Sequence, residues 1–399
     1  MDSPSFLPCR RRKAARAMKI KTYILVGICL IMAGIVGFCY TKQQGTIVIG
    51  INLALSGDAG ANGESTERGI ILAKNQLNKR GGLLGRQVKL VSVDNHGKPE
   101  DAALAVQQLA MRHVAALIGP NENDCAPAAV LQAVDKKIPM ISPASTAENI
   151  TMDIQHDRVY PNIFRITLLP SWQGRIMASY AMEICHAENI AVFYDDTTDS
   201  HELATHFKDA VEQHGGTVSL YQQMVDGDMA TAISVPQDCR AVYMPVQQDK
   251  AAMWIQSLRD KGITIPVLGP ESWQGDVLAA KVPNGDLQNV FYISQYAADV
   301  NDELSEDFAE AYYEMYGELP DTYAALGYDA CMILAKAIEN GQSVDNQDVI
   351  SQLETFDIYQ GVTGDIRFDQ NHNPRKPGYI WTFWGNEPII LGKQHAADI

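Results

Sequence analysis

Cysteine is scarce in this chain, and the patterns typical of metal or nucleophile chemistry are absent. Cysteine makes up 7 of 399 residues, and three of those lie before residue 40. No CxxC pair or Cys/His cluster indicates zinc, and there is no HExxH, GxSxG or phosphate-loop motif. The sequence therefore predicts no catalytic residues, no metal and no cofactor, which argues against an enzyme.

The four later cysteines do not form a disulfide framework. Cys331 lies in an Ala/Leu-rich helix pattern typical of a core. Cys185 and Cys239 each precede a predicted strand. Because neighbouring strands lie about 4.8 Å apart, a Cys185–Cys239 disulfide is one interpretation. Two free thiols is the other.

Positive charge is also in short supply. The chain has 32 Lys and Arg against 48 Asp and Glu, a formal net charge of −16 at pH 7. Several of these cations lie close to the N-terminus, so the rest of the chain is more acidic still. This balance argues against nucleic acid and anionic lipid as partners.

The N-terminal segment combines those cations with an uncharged, mostly apolar run at residues 23–40. Positive charge before such a run places the later chain on the far side of a membrane. The run is long for a signal-peptide core, roughly 7–15 residues, and slightly short for a spanning helix, roughly 20. We expect residues 1–44 to be a cleaved signal or an uncleaved anchor. The rest then lies in the periplasm or at the cell surface.

Strand and helix patterns alternate along the remaining chain, which predicts α/β architecture with parallel sheets. Two helical patterns, at 302–316 and 322–341, then follow one another and indicate a return to the first lobe. We expect lobe one to contain residues 45–165 plus 293–373, and lobe two residues 166–292 plus 374–399. The strands are predicted at 46–53, 88–94, 115–118, 139–141, 190–194, 217–221, 241–245, 266–268 and 290–293.

A predicted βαβ unit within residues 115–146 indicates a binding site. In open parallel sheets, ligands bind beyond the carboxyl ends of the strands. Residues 119–123 and 144–146 would both lie there, with N–H groups and hydroxyls that suit a small carboxylate. Glu271 follows a third apolar run and suits an ammonium. The sequence therefore predicts a site for a zwitterion.

An ordered series of segments resembles the leucine/isoleucine/valine-binding protein family, the type 1 periplasmic amino-acid-binding proteins of ABC importers. The resemblance covers about residues 45–385. It implies two Rossmann-like lobes joined by three crossovers, a small amino-acid-like ligand clamped between them, and an ABC transporter permease as partner. The segments are IGINLALSGDAGANGES, LNKRGGLLGRQVKLVSVDN, LIGP, ISPAST, FRITLLPSWQG, LGPESW, PDTYAALGYDA and GVTGDIRFDQNHNPRKPGY.

The resemblance also implies particular ligand contacts. The family's carboxylate contacts fall on Asn123 and on the loop Ala144, Ser145 and Thr146. Its ammonium acceptor falls on Glu271, helped by the Ala144 carbonyl. Read without the resemblance, Ser145 and Thr146 could simply cap the following helix, and a loop glutamate is usually solvated.

Several positions depart from the family pattern. Asn123 stands where a serine is usual, although its amide can still donate. Gln247, Asp199 and Asn62 stand where aromatic or less polar residues are common, so polar ligands are expected over branched aliphatic ones. Trp273 either forms a wall of the pocket or is an exposed cleft aromatic.

Three other interpretations stay open. Residues 60–65 could be a helix N-terminus that binds an anion, but a loop at the edge of the cleft is preferred. Of Tyr323 and Tyr328, at most one lies near ligand. The same fold also serves ligand-sensing modules that signal through a separate membrane partner, which is the alternative function.

Overall fold

Two open sheets organise residues 45–224, 233–282, 286–298 and 302–397, the part of the chain that the computed structural model describes. The first sheet has five parallel strands in the order β2-β1-β3-β4-β7. Their carboxyl ends therefore share one edge. They are β1 (Ile47–Leu53), β2 (Val88–Asp94), β3 (Ala116–Ile118), β4 (Met140–Ser142) and β7 (Ile163–Arg165).

The second sheet has the order β17-β16-β12-β11-β10-β8-β9. Five strands are parallel, and a C-terminal hairpin adds two antiparallel strands at one edge. The parallel strands are β8 (Asn189–Tyr194), β9 (Thr217–Gln223), β10 (Ala241–Tyr243), β11 (Val267–Gly269) and β12 (Val290–Ser294), and the hairpin strands are β16 (Gly378–Trp384) and β17 (Glu387–Gln394). Two small ribbons are formed by β5 (Met152–Asp153) with β6 (Arg158–Val159), and by β13 (Tyr359–Gly361), β14 (Gly364–Phe368) and β15 (Pro374–Arg375).

Helices cover both faces of each sheet, because the strands are apolar on both sides. Ile118 and Ile141 join the core shared with α1 and α9, whereas Leu117 and Met140 join the core shared with α2 and α3. The helices are α1 (Gly60–Lys79), α2 (Pro99–Ala110), α3 (Ala126–Lys136), α4 (Pro170–Ser179), α5 (Thr198–Gln213), α6 (Gln248–Asp260), α7 (Gly275–Lys281), α8 (Glu303–Tyr316), α9 (Thr322–Gly341) and α10 (Asn346–Glu354).

Three segments pass between the sheets: after β7, after β12 and before β16. The Gln295 side chain joins the first two, since its oxygen accepts from Leu168 N at 2.7 Å and its nitrogen donates to Thr167 Oγ1 at 2.9 Å. The third is tied to α4 because Trp172 Nε1 donates to the Lys376 carbonyl at 2.9 Å. Hydrogen bonds therefore brace the crossing region on both sides.

The predicted α/β fold with two parallel-sheet lobes is confirmed, and each predicted strand lies within two residues of an observed one. The lobe boundaries stay a prediction. The loop expected over residues 60–65 is wrong, because those residues form the first turns of α1. Gly63 allows α1 to pack closely against the backbone at Ala54, because a Cβ at position 63 would lie 1.8 Å from the Ala54 carbonyl oxygen.

The expected N-terminal segment, residues 1–44, lies outside the described residues. Within the ranges given above, none of the helices has the length and apolar character needed to cross a membrane.

Cys185 and Cys239 are free thiols, so the disulfide hypothesis is wrong. The strands that follow them are neighbours as expected, with Ile190 of β8 paired to Ala241 of β10. Cys185, however, packs against the core on one face of the second sheet, and Cys239 belongs to the core on the other face. The sheet separates the two sulfurs.

Reciprocal glycine contacts set the distance between α1 and α9. A Cβ on Gly69 would lie 1.9 Å from the Ala324 carbonyl oxygen, and a Cβ on Gly327 would lie 2.2 Å from the Thr66 carbonyl oxygen. Both clashes are with backbone, so neither could be relieved by turning a side chain. The two helices can approach this closely only because both positions lack a side chain.

We expect Gly69→Ala to lower the free energy of unfolding by about 1–3 kcal/mol, because a methyl group here forces the two helices apart. Gly60→Ala in the same helix is the control, since its nearest contact would be an ordinary 3.5 Å. Urea unfolding of both variants measures the difference. Equal stability of the two variants would contradict the packing argument.

Candidate functional site

The loops after β3 and β4, at the carboxyl edge of the first sheet, are held together by contacts with backbone carbonyl groups. Gly119 follows β3 with φ +105°, and a Cβ there would lie 2.0 Å from the Asn52 carbonyl oxygen. Ser142 ends β4, and its hydroxyl donates to the Pro120 carbonyl at 2.6 Å. These contacts place residues 120–123 directly beside residues 143–147.

Asn123 and the 145–147 loop do meet, but the asparagine acts as an acceptor. Its Oδ1 accepts from Thr146 N at 2.8 Å, Ala147 N at 3.1 Å and Ser145 Oγ at 3.0 Å. Its Nδ2 donates to Thr146 Oγ1 at 3.0 Å. Two backbone N–H donors fix the orientation of the amide. The N–H groups expected to receive a carboxylate are therefore occupied by a neutral oxygen of the chain itself.

Arg165 supports the 145–147 loop through hydrogen bonds to its carbonyl groups. The sequence did not indicate this role. It ends β7, is 1 % exposed, and donates to the Ala147 carbonyl at 2.8 Å and the Ser145 carbonyl at 3.4 Å. The carbonyl groups of Ser145 and Ala147 are thereby oriented toward the buried guanidinium. It also adds a buried positive charge beside the loop. An arginine following two apolar residues in a strand was the available signal.

Glu271 lies in the turn after β11 and is held by glutamine amides from two elements. Gln295 Nε2 donates to its two carboxylate oxygens at 2.9 and 2.8 Å. Gln173 Nε2, from α4, donates to Oε2 at 3.1 Å. Burial raises the pKa of Glu271, while the Gln295 hydrogen bond and the charge of Lys376 oppose that rise.

Lys376 and Asp329 extend this network into the crossing region. Lys376 is 3 % exposed, and its Nζ donates to Thr363 Oγ1 at 3.1 Å. Asp329, fully buried in α9, accepts from the Thr363 hydroxyl at 2.7 Å and from the backbone N–H groups of Thr363 and Val362. Burial lowers the pKa of Lys376, and the charges of Asp329 and Glu271 oppose the change. An acidic residue inside an apolar helix pattern was the signal for Asp329.

Tyr323 and Tyr328 lie in different surroundings. Tyr323 is half-buried in the first turn of α9, and its pKa is raised by burial and then by the charges of Glu271, Asp321 and Glu122. Tyr323 therefore lies within electrostatic range of Glu271. Tyr328 instead belongs to the core, and its hydroxyl donates to Gln76 Oε1 at 2.6 Å.

The remaining residues that the sequence predicted for the site do not lie together. Asn62, Asp199 and Gln247 are exposed at the N-terminal ends of α1, α5 and α6. Ala144 is partly buried against the first core. Trp273 is 2 % exposed and donates from Nε1 to the Val246 carbonyl at 2.7 Å. The expectation of an exposed cleft tryptophan is wrong, because the ring packs down onto Gly269.

The arrangement places groups of opposite charge at two positions. One end has a loop backed by Arg165, and the other has Glu271 held by amides. Within the described part of the chain, no three His, Cys, Asp or Glu side chains are placed to hold a metal ion.

Comparison with known proteins agrees with this fold. Residues 46–384 match the family model described as periplasmic binding protein, so the chain belongs to the periplasmic binding protein family. Its relatives bind solutes and are not enzymes.

One curated relative is a leucine-, isoleucine-, valine-, threonine- and alanine-binding protein of Pseudomonas aeruginosa. It is 24 % identical over 341 residues, which is 84 % of this chain and 89 % of the relative. Among solved structures, the branched-chain amino acid transporter substrate-binding protein LivJ of Streptococcus pneumoniae, in complex with isoleucine, superposes with a TM-score of 0.68. It is 26 % identical and covers 88 % of this chain and 99 % of its own.

A putative branched-chain amino acid ABC transporter protein from Rhodospirillum rubrum superposes with a TM-score of 0.79. It is 22 % identical, and the match covers 87 % of this chain and 100 % of that one. The type 1 periplasmic binding protein fold is thereby established.

We expect the ligand-free protein to lose stability as pH rises above 4.5, the ordinary pKa of glutamate. Burial raises the pKa of Glu271 in the folded state, so folding favours the protonated form. Between the unfolded and folded pKa values the native state binds the extra proton, and the free energy of unfolding falls as pH increases. Lys376 stays charged in this window.

Thermal melting of the wild type and Glu271→Gln from pH 4 to pH 7.5 measures this contribution. The wild-type melting temperature should fall more steeply than that of the variant through the mildly acidic range. Parallel curves would show that Glu271 does not titrate in this way.

Proposed function

We propose that this protein is an extracytoplasmic substrate-binding protein that captures an amino acid or a similar small zwitterion between its lobes and delivers it to an ABC importer. The observation that carries the proposal is Glu271, a carboxylate held by Gln173 and Gln295 beside the crossing segments. The relatives' names, which include amino-acid-binding proteins, point the same way.

Glu271 is suited to bind the ligand ammonium. The amides of Gln173 and Gln295 can only donate at their Nε2 atoms, so they preserve Glu271 as an acceptor. A bound ammonium would offset the cost of burying the carboxylate, since a nearby opposite charge favours the ionised form. Tyr323 lies within electrostatic range of the same carboxylate, and we propose that ligand and tyrosine share it when the lobes close.

The carboxylate would bind at the 145–147 loop, where Arg165 provides a buried positive charge. We propose that it replaces the Asn123 amide oxygen on the N–H groups of Thr146 and Ala147. The exchange is favoured because the asparagine oxygen is neutral, whereas an ionised acceptor makes hydrogen bonds about twice as strong. Displaced Asn123 can then donate from Nδ2 to the ligand.

Side-chain selectivity would come from the residues at the edge. Asn62, Asp199 and Gln247 remain proposed contacts, and their polarity favours a polar ligand. Trp273 would act indirectly, by supporting the Glu271 turn from within lobe two. The basic and apolar residues 1–44 are proposed to export the protein and, if uncleaved, to tether it to the cytoplasmic membrane.

We expect Glu271→Ala to weaken amino-acid binding by at least a hundredfold, because removing one partner of a buried charge pair costs roughly 3–5 kcal/mol. A thermal-shift screen of the 20 amino acids would first identify the ligand, since saturation at 100 times Kd adds roughly 2.7 kcal/mol of stability. Calorimetric titration then measures affinity. Glu354→Gln, an exposed change in α10, is the control. Near-wild-type affinity of Glu271→Ala would remove this residue from the site.

We expect Asn123→Asp to fold normally but to bind the zwitterion at least tenfold more weakly. Its carboxylate would accept from the same N–H groups and would repel the ligand carboxylate. Asn123→Ser, which frees the N–H groups, should keep at least wild-type affinity. Calorimetric titration of both variants with the ligand found by screening measures this contrast. If Asn123→Asp binds like the wild type, the carboxylate is received elsewhere.

A further inference from the structure

A cavity of about 180 Å³ lies where the third crossing segment meets α4. Its volume is several times the roughly 30 Å³ that one water molecule occupies in the liquid. Neither Asn123, the 145–147 loop nor Glu271 lines this cavity, so it is separate from the candidate site. The lining residues that determine its chemistry are Ser171, Trp172 and Arg175 of α4, together with Asp369, Asn373 and Arg375.

Two guanidinium groups at this cavity share the indole ring of Trp172. The Cζ of Arg175 lies 5.9 Å from the ring centroid, and the Cζ of Arg375 lies 5.4 Å from it. Both distances fall within the roughly 6 Å at which an aromatic ring attracts a cation. Arg175 is half-buried, whereas Arg375 is exposed, so the cavity is open to solvent on the Arg375 side. The shared ring therefore holds two positive charges near one another, although like charges repel.

The side chains around the cavity offer hydrogen-bond donors that the described part of the chain does not use. Neither Arg175 nor Arg375 has a hydrogen-bond acceptor or an ion-pair partner among the described residues, and the Ser171 hydroxyl has no partner there either. Asn373 accepts through Oδ1 from Thr151 Oγ1 at 3.3 Å, which leaves its Nδ2 as a further donor. Four side chains with available donors therefore line one small cavity.

One acidic side chain, Asp369, also lines the cavity. Its Oδ1 accepts from the backbone N–H groups of Asn371 and Asn373 at 2.8 and 3.0 Å, and no ion pair within the described ranges joins it to either arginine. The lining thus carries two positive charges against one negative charge, which favours an anion. Arginine presents a planar fork of N–H groups that matches the oxygens of carboxylate and phosphate groups. Phosphate, with more oxygens than a carboxylate, can accept from donors on more side chains.

We propose that this cavity binds a tetrahedral oxyanion such as inorganic phosphate, with Arg175 and Arg375 as its charged contacts. Ser171 and Asn373 supply further donors. The bound anion offsets the repulsion between the two guanidinium groups, because an opposite charge nearby stabilises each of them. It also joins α4 to the third crossing segment, next to the hydrogen bond that Trp172 already makes there. The site lies outside the proposed amino-acid cleft and does not depend on it.

Calorimetric titration of the full-length chain with inorganic phosphate, at constant ionic strength, tests this proposal. One phosphate should bind per chain, and Arg175→Gln and Arg375→Gln should each weaken binding by about tenfold or more, because each removes charge-assisted hydrogen bonds. Arg375→Lys should retain part of the affinity, since lysine keeps the charge but not the fork. Arg112→Gln, an exposed change just after α2, removes the same charge outside the cavity and should bind phosphate like the wild type.

Three results would overturn the proposal. Phosphate could fail to bind the wild type, or Arg112→Gln could weaken binding as much as Arg375→Gln, which would indicate only an effect of net charge. Acetate could bind as tightly as phosphate, which would contradict the preference for a tetrahedral oxyanion. Because Arg375 is exposed, its variants keep the test valid even if Arg175→Gln lowers the stability of the fold. The titration contains no amino acid, so its result is independent of the proposed function.

Discussion

The buried side chain of Gln295 connects the two crossing segments to the carboxylate on which the proposed binding depends. Its oxygen and nitrogen join the two crossing segments at Leu168 and Thr167, and the same nitrogen reaches the Glu271 carboxylate. A movement of one lobe against the other must therefore preserve these bonds or exchange them. Because a buried amide left unsatisfied costs about 1–3 kcal/mol, the position of Glu271 is coupled to the geometry of the crossings. A change in the angle between the lobes would therefore alter the hydrogen bonds that Gln295 donates to the Glu271 carboxylate.

Charge is distributed unevenly around the candidate site. Arg165 lies buried beside the 145–147 loop, and the charges of Glu271 and Lys376 each affect the pKa of the other group. Burial penalises each ionised group, so the ligand-free protein stores an electrostatic cost in the cleft. A ligand that binds as proposed, with complementary charges, would relieve that cost. Selectivity would then depend more on charge placement than on apolar area, which the exposed Asn62, Asp199 and Gln247 do little to provide.

Much of the fold could be predicted from the sequence because parallel strands buried on both faces are short apolar runs, and helices separate them. The approach of residues 119–123 to residues 144–146 followed from the same rule, since the carboxyl ends of β3 and β4 share an edge. The direction of the Asn123 hydrogen bonds could not be predicted, because an amide donates and accepts equally well. The choice between the two interpretations of Trp273 could not be made from the sequence, because burial within a turn depends on the space left by Gly269. Gln295, Lys376 and Asp329 come together only after the chain has crossed between sheets, so no local pattern reveals them.

The separation of Cys185 from Cys239 by the second sheet has a practical and a biological consequence. Since neither thiol has a disulfide partner among the described residues, the described fold needs no oxidant to form, and this part of the chain should reach the same native state in a reducing solution as in an oxidising one. The same two thiols, on opposite faces of one lobe, also provide independent chemical reporters of whether either side of that sheet opens.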